Sequence, residues 1–169
     1  MIPQTYIKRN ISTIGARYKA TKRPLHNLLY AKLAIIEVGG WVEMSMDDLV
    51  LRAGARLKNP SNITHLEKQI VDRTWGFDYK KNFRQMLIQT IGLVSVEKIE
   101  GMDNGGKFAK MIATLDILKT ARNNVAHTYV KNVSTTAPIP APSVATTYLD
   151  DIYIGLKDIE SVMKRLKLL

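Results

Sequence analysis

Tyr148-Leu149-Asp150-Asp151-Ile152-Tyr153-Ile154-Gly155-Leu156-Lys157-Asp158-Ile159-Glu160-Ser161-Val162-Met163-Lys164-Arg165-Leu166 is the stretch that decides the fold class. Tyr148, Leu149, Ile152, Tyr153, Leu156, Ile159, Val162, Met163 and Leu166 recur at three- and four-residue steps. They place one apolar stripe on one side of a helix of about five turns. Strand alternation is weak everywhere else, so the chain reads as all-α, a bundle of four to six helices. Its 169 residues suit a single domain spanning 1–169.

Upstream of that helix, residues 132–147 contain no charge and hold Pro138, Pro140 and Pro142 among Ser, Thr and Ala. This composition predicts an exposed, mobile connection that joins no core. Before it, Phe108, Met111, Ile112, Leu115, Leu118, Val125 and Ala126 give the seam of a helix over about 107–131. Asp103-Asn104-Gly105-Gly106 reads as a turn, and 92–106 is ambiguous. Asp78 is placed to cap a helix whose buried stripe is Tyr79, Phe83, Met86, Leu87 and Ile91. Its opposite side carries Lys80, Lys81, Arg84 and Gln85.

Nearer the N-terminus, Thr64 with Glu67 predicts a capping box, and Ser45 with Asp48 a further N-cap. Leu25, Leu28, Leu29, Leu33, Ile35 and Ile36 mark a long helix that Gly39-Gly40 would weaken, kink or open to close packing. Residues 4–22 form a loosely amphipathic helix on Ile7, Ile11, Ile14 and Tyr18.

Charge narrows the function. There are 25 Lys and Arg against 15 Asp and Glu, a net charge of +10, and no acidic residue precedes Glu37. Such an excess favours a polyanionic partner, with general solubility as the plain alternative. The basic N-terminal stretch lacks the bulky anchors of a membrane-surface helix, and no apolar run reaches the roughly 20 residues of a span. No secretory leader is legible. Cysteine is absent, which removes disulfides and thiolate chemistry and fits a cytoplasmic protein. Neither the three histidines nor the pairs Asp47-Asp48 and Asp150-Asp151 make a metal-ligand pattern, so no metal or other cofactor is expected.

The chemistry-bearing segment is Arg122-Asn123-Asn124-Val125-Ala126-His127-Thr128-Tyr129. Asn123 and His127 are one helical turn apart, so the amide is able to hydrogen-bond the imidazole and fix its tautomer. Arg122 falls between that polar row and the apolar seam, where a guanidinium needs an acid, a symmetry mate or a phosphate to receive it. Glu37 or Glu43 across the bundle would serve as well, and spacing alone does not choose.

The string Arg-Asn-x-x-x-His, following Leu115-Asp116-Ile117-Leu118-Lys119, resembles the signature helix of the HEPN superfamily of ribonuclease domains, and the chain is similar to its RiboL-PSP-HEPN subgroup. The resemblance covers about residues 25–169 in architecture and is specific only over 115–129. It implies a metal-independent endoribonuclease, acting as a toxin or antiphage effector, in which Arg122 contacts the scissile phosphate. Asn123 would orient His127 or bind a phosphate oxygen, and His127 would move protons as imidazole does near neutral pH. The 2′-hydroxyl would attack, leaving 2′,3′-cyclic phosphate and 5′-hydroxyl ends.

The same resemblance implies a homodimer with a composite site and RNA as partner, with a cognate antitoxin or regulatory protein as a further one. Lys80, Lys81, Arg84, Lys119 and Lys131 are the expected RNA contacts, though a solvated helix face accounts for them nearly as well. Tyr129 extends the pattern to one that resembles HEPN toxins in which this tyrosine accepts AMP; plain packing of an aromatic is the stronger reading of it. The competing functional reading is a non-catalytic HEPN module that binds RNA or nucleotide, or scaffolds a partner protein.

Overall fold

The longest helix runs unbroken from Pro24 to Ala53 in a computed structural model that describes residues 1–102, 105–130 and 138–169. Among these residues the chain is all-helical, with seven α-helices and no strand, one helix more than the upper end of the expected range. They are α1 (Thr5–Ala20), α2 (Pro24–Ala53), α3 (Pro60–His65), α4 (Arg84–Ile91), α5 (Leu93–Gly101), α6 (Lys107–Ala126) and α7 (Pro142–Arg165). Among the described residues no helix is long and apolar enough to cross a membrane.

Pro24 starts α2 where a missing N–H costs nothing. The helix buries Ala34, Ile35, Val38, Val42, Met46, Leu49 and Val50 against α1, α4, α6 and α7. The expected row was partly the wrong one: Leu25, Leu29 and Leu33 lie exposed. Both sides of α2 are apolar at helical spacing, so periodicity could not choose between them. Gly39-Gly40 do not break α2. A Cβ on Gly39 would lie 3.4 Å from both Arg122 Cγ and Phe77 Cε1, so this glycine admits close packing instead.

Two expected caps are displaced. Ser45 is buried within α2, and Thr64 lies inside α3, whose cap is the Asn59 side chain accepting from Ser61 N–H at 2.9 Å. Asn59 wins because Pro60 behind it fixes the first helical turn. Asp78 caps as expected, accepting from Lys81 N–H at 2.9 Å. The turns it starts (79–83) are π-helical and run directly into α4. Gly92 to Gly106, ambiguous in sequence, contains α5 and three glycines at positive φ, Gly92, Gly105 and Gly106. Asp103 and Asn104 lie outside the described residues.

The proline-bearing connection is shorter than composition implies. α7 begins at Pro142 rather than Tyr148, and both Pro142 and Ala145 are buried. Pro142 presets the first turn, and Ala145 extends the apolar stripe by one step. The remainder of that expectation, residues 132–137, lies outside the described residues. α7 packs along α6, and Gly155 is the point of closest approach: a Cβ there would collide with Met111 Cβ and sit 2.8 Å from its Sδ.

Glu160 is fully buried. It accepts from Lys157 at 2.6 Å and Arg52 at 2.7 Å, joining α7 to α2. Burial alone would push this carboxyl up, but the hydrogen bonds from Lys157 and Arg52 outweigh it and hold Glu160 well below the usual carboxylate range.

Two stability measurements test these contacts. Gly155→Ala should cost about 1–3 kcal/mol through overpacking, read as a lower thermal midpoint; an unchanged midpoint would show that α6 and α7 are not tightly apposed. Glu160→Ala should cost about 1.5–3 kcal/mol, because Arg52 and Lys157, themselves partly exposed, lose a charge-assisted hydrogen bond. Since folded Glu160 refuses a proton that the unfolded chain accepts, its contribution is present above the ordinary glutamate value of 4.5 and is lost as pH falls below it. Urea midpoints for wild type and variant should therefore converge in acid.

Candidate active site

α6 is where the sequence placed the chemistry, and it stops at Ala126, five residues short of the expected 131. His127 is the residue after the helix, held by its backbone N–H to the Asn123 carbonyl at 3.3 Å. The expected amide-to-imidazole link is therefore replaced by a backbone link: Asn123 Oδ1 accepts instead from Arg122, at 3.5 Å. The Thr128 hydroxyl donates to the Asn124 carbonyl one turn back. Lys32 Nζ then donates to the Thr128 carbonyl at 2.9 Å and ties this end of α6 to α2. The His127 ring is exposed and makes no hydrogen bond or ion pair with the described residues.

Arg122 is partly buried between α6 and α2, and its guanidinium lies 3.6 Å from Glu43 Oε1. Of the two acids foreseen for it, Glu43 is the partner. Glu37 instead accepts from Asn10 at 3.3 Å. At 3.6 Å, with both side chains about one-third exposed, this is a loose ion pair and contributes little to stability.

Arg122, Asn123 and Lys119 share a cleft of about 500 Å³ between α2, α6 and the 71–78 segment. Four carboxylates also line it: Glu43, Asp47, Asp72 and Asp78. Against two cations these give a formal charge of −2. Lys119 is engaged at 2.6 Å by Asp78 and at 3.4 Å by Asp116. The Lys119 hydrogen bond, followed by that from Lys81 N–H, holds Asp78 below its ordinary range.

Asp47 is the opposite case. Burial, then the charges of Glu43 and Asp72, push its carboxyl up to about 6, and it has no ion-pair partner among the described residues. This acid was legible as one of two adjacent aspartates, but its lack of a counter-ion was not.

The other expected residues do not join the cleft. Arg84 is held by Glu100 at 2.7 Å beside the Tyr79 hydroxyl, which donates to the same carboxylate at 2.9 Å. Burial pushes the Tyr79 phenol far above its ordinary value, with the Glu100 hydrogen bond adding to it. Lys80 and Arg84 border a separate depression with Phe108, and Lys81 is exposed. Lys131 lies outside the described residues. Tyr129 is 85% exposed, so packing, the stronger reading of it, does not hold there.

On the far side of α6, Ile117, Ala121, Val125 and Tyr148 form an apolar hollow of about 520 Å³ under Pro138–Pro140. His127 lines neither cavity. Within one chain, then, Arg122 and Asn123 converge and His127 stands apart. Among the described residues no group of three or more His, Cys, Asp or Glu side chains is arranged to hold a metal ion.

No family model, no curated protein and no solved structure matches this chain.

Asp47 offers a direct check on the electrostatics. Its side-chain carboxyl should titrate near 6 by carbon-detected NMR, and Glu43→Gln should move that midpoint down. Because folded Asp47 keeps its proton to higher pH than the unfolded chain, it weakens the fold as pH rises from 3.8 through about 6. Asp47→Asn should therefore raise the melting temperature at pH 8 and leave it nearly unchanged at pH 4.

Proposed function

We infer that this chain is a metal-independent endoribonuclease of the HEPN class, a cytoplasmic toxin or antiphage effector. The observation that carries this reading is the Arg122-Asn123-x-x-x-His127 segment at the exposed end of α6. There the guanidinium is held only loosely, and the imidazole is exposed one residue past the last turn. The net charge of +10 supports a polyanionic substrate.

In the reaction, a base removes the proton of the RNA 2′-hydroxyl and that oxygen attacks phosphorus. The bond from phosphorus to O5′ breaks, O5′ takes up a proton, and a 2′,3′-cyclic phosphate remains. Arg122 would leave Glu43 for the phosphate and stabilise charge on the pentacovalent transition state. His127 would act as acid or base.

The acidic cleft repels phosphate, so the substrate lies along the outer edge of α6 rather than within it. Because His127 does not line the cleft that holds Arg122, a working site would take them from two protomers. Lys80 and Lys81 remain as exposed phosphate contacts, whereas Lys119 and Arg84 are already neutralised by carboxylates. A cognate antitoxin or regulatory protein would restrain such an activity, and Tyr129 is exposed enough to accept AMP.

The Arg122–Glu43 pair favours one alternative, a non-catalytic HEPN module that binds RNA or nucleotide or scaffolds a partner. Incubating total RNA with the protein in EDTA separates the two. Wild type should leave 2′,3′-cyclic phosphate ends, and His127→Ala and Arg122→Ala should lose at least about 100-fold in rate, as expected for an acid–base group. Equal cleavage by all three proteins would mark a contaminant, and RNA binding without cleavage would select the alternative.

A further inference from the structure

The ends of α1 and α6 and the starts of α2 and α7 carry no acid. The sequence holds no Asp or Glu before Glu37, and none between Asp116 and Asp150. Contacts show how far back those acids lie. Asn10 donates to Glu37 at 3.3 Å, which sets the first acid of α2 level with the middle of α1. Asp150 of α7 is held by Lys8 at 3.3 Å, in the first half of α1. Gly15 faces Pro142 at the start of α7, where a Cβ would lie 3.9 Å from that of the proline.

This end of the bundle carries cations instead. Arg17 and Lys19 lie in the last turn of α1, and Lys22 and Arg23 form the corner before Pro24. All four are exposed and make no ion pair with the described residues. Arg17 and Lys19 suit the negative end of the α1 dipole. Lys22 and Arg23 stand at the positive end of α2, whose first turn holds no acid, and gain nothing from the fold there. Cations so crowded repel one another and attract a polyanion.

The corner lies ahead of the end of α6. Arg122 packs beside Gly39, and Lys32 binds the Thr128 carbonyl at 2.9 Å, so α6 runs antiparallel to α2. Past the level of Lys32, α2 continues back to Pro24, about 12 Å at 1.5 Å per residue. That distance is roughly three to four nucleotides at 3.4 Å each. Beside Thr128 the Tyr129 ring is exposed and open to a stacked base.

We propose that the α1–α2 corner is an accessory RNA-binding surface, on which Arg17, Lys19, Lys22 and Arg23 take the phosphates of a single strand continuing from the end of α6. Its alignment with Arg122 and the open Tyr129 ring favour a strand over an anionic bilayer. The surface makes binding depend on length, since a trinucleotide seated at α6 does not reach the corner. Its meaning for catalysis rests on the ribonuclease reading; the RNA contact does not.

Fluorescence anisotropy tests this with RNA methylated at its 2′-oxygens, which cannot undergo 2′-hydroxyl attack. Joint Arg17→Gln, Lys19→Gln, Lys22→Gln and Arg23→Gln should weaken binding of a strand of about 12 nucleotides at least about tenfold at low salt. The salt slope should become shallower by about 3, at roughly 0.7 per lost phosphate contact. A trinucleotide should bind both proteins alike. Joint Arg56→Gln, Lys58→Gln, Lys98→Gln and Lys167→Gln removes the same charge elsewhere and should cost less than about threefold. Equal loss in the two variants, equal loss for both RNA lengths, or wild type that cosediments with phosphatidylserine vesicles despite excess RNA would each overturn the proposal. Should the corner variant lose its helical circular dichroism, acetylation of wild type decides. Bound RNA should protect Lys19 and Lys22 but not Lys58 and Lys98, and uniform labelling would overturn the surface. Cleavage of unmethylated RNA is scored separately. Binding at the corner without cleavage refutes the ribonuclease and leaves the surface standing; cleavage with no loss of binding in the corner variant does the reverse.

Discussion

One side of α2 must be buried by helices from both ends of the chain, and the rest of the architecture follows from that requirement. α1 precedes it, while α6 and α7 come from the far end. Its buried row is dominated by Ala, Val and Ile rather than Leu, which lets the neighbouring axes come close. Gly39 and Gly155 both admit neighbours closely: the first receives Arg122 and Phe77, the second Met111. Glu160 fastens the same helices electrostatically, with Arg52 of α2 held by a carboxylate of α7. The position of α6, and with it of Arg122, is therefore a consequence of packing on α2 rather than of local sequence.

The amphipathic helices were legible in sequence and the uniformly apolar one was not. α1 and α7 each carry one stripe against a polar remainder, and Ile7, Ile11 and Ile14 are buried as their spacing requires. α2 offers two apolar rows, and only tertiary contact says which is inside. Caps failed where a second signal competed: Asn59-Pro60 outranks Thr64, and Ser45 is overridden by an interior that needs the helix to continue. α7 was shortened at its start because Ser, Thr, Ala and Pro resemble a linker in composition, whereas the Pro142 to Ala145 spacing belongs to a helix.

Less of the candidate site could be read in advance. The wheel pairs Asn123 with His127, whereas in the fold Asn123 lies with Arg122 and His127 is one residue past the end of α6. Sequence does not report which cations are already satisfied. Lys119 and Arg84 look like surface charges and are held by Asp78 and Glu100, acids distant in sequence. The acidity of the cleft is likewise a product of folding, since Glu43 and Asp47 of α2 meet Asp72 and Asp78 of the 71–78 segment. The excess of +10 thus describes the surface at large and not the surroundings of Arg122.

The Lys32–Thr128 hydrogen bond joins residues 96 positions apart. A contact of that span exists only while α2 and α6 are packed together, so the backbone beside His127 takes its position from the first half of the chain. Whatever chemistry resides at this end of the molecule is therefore conditional on the assembled bundle and not on α6 alone.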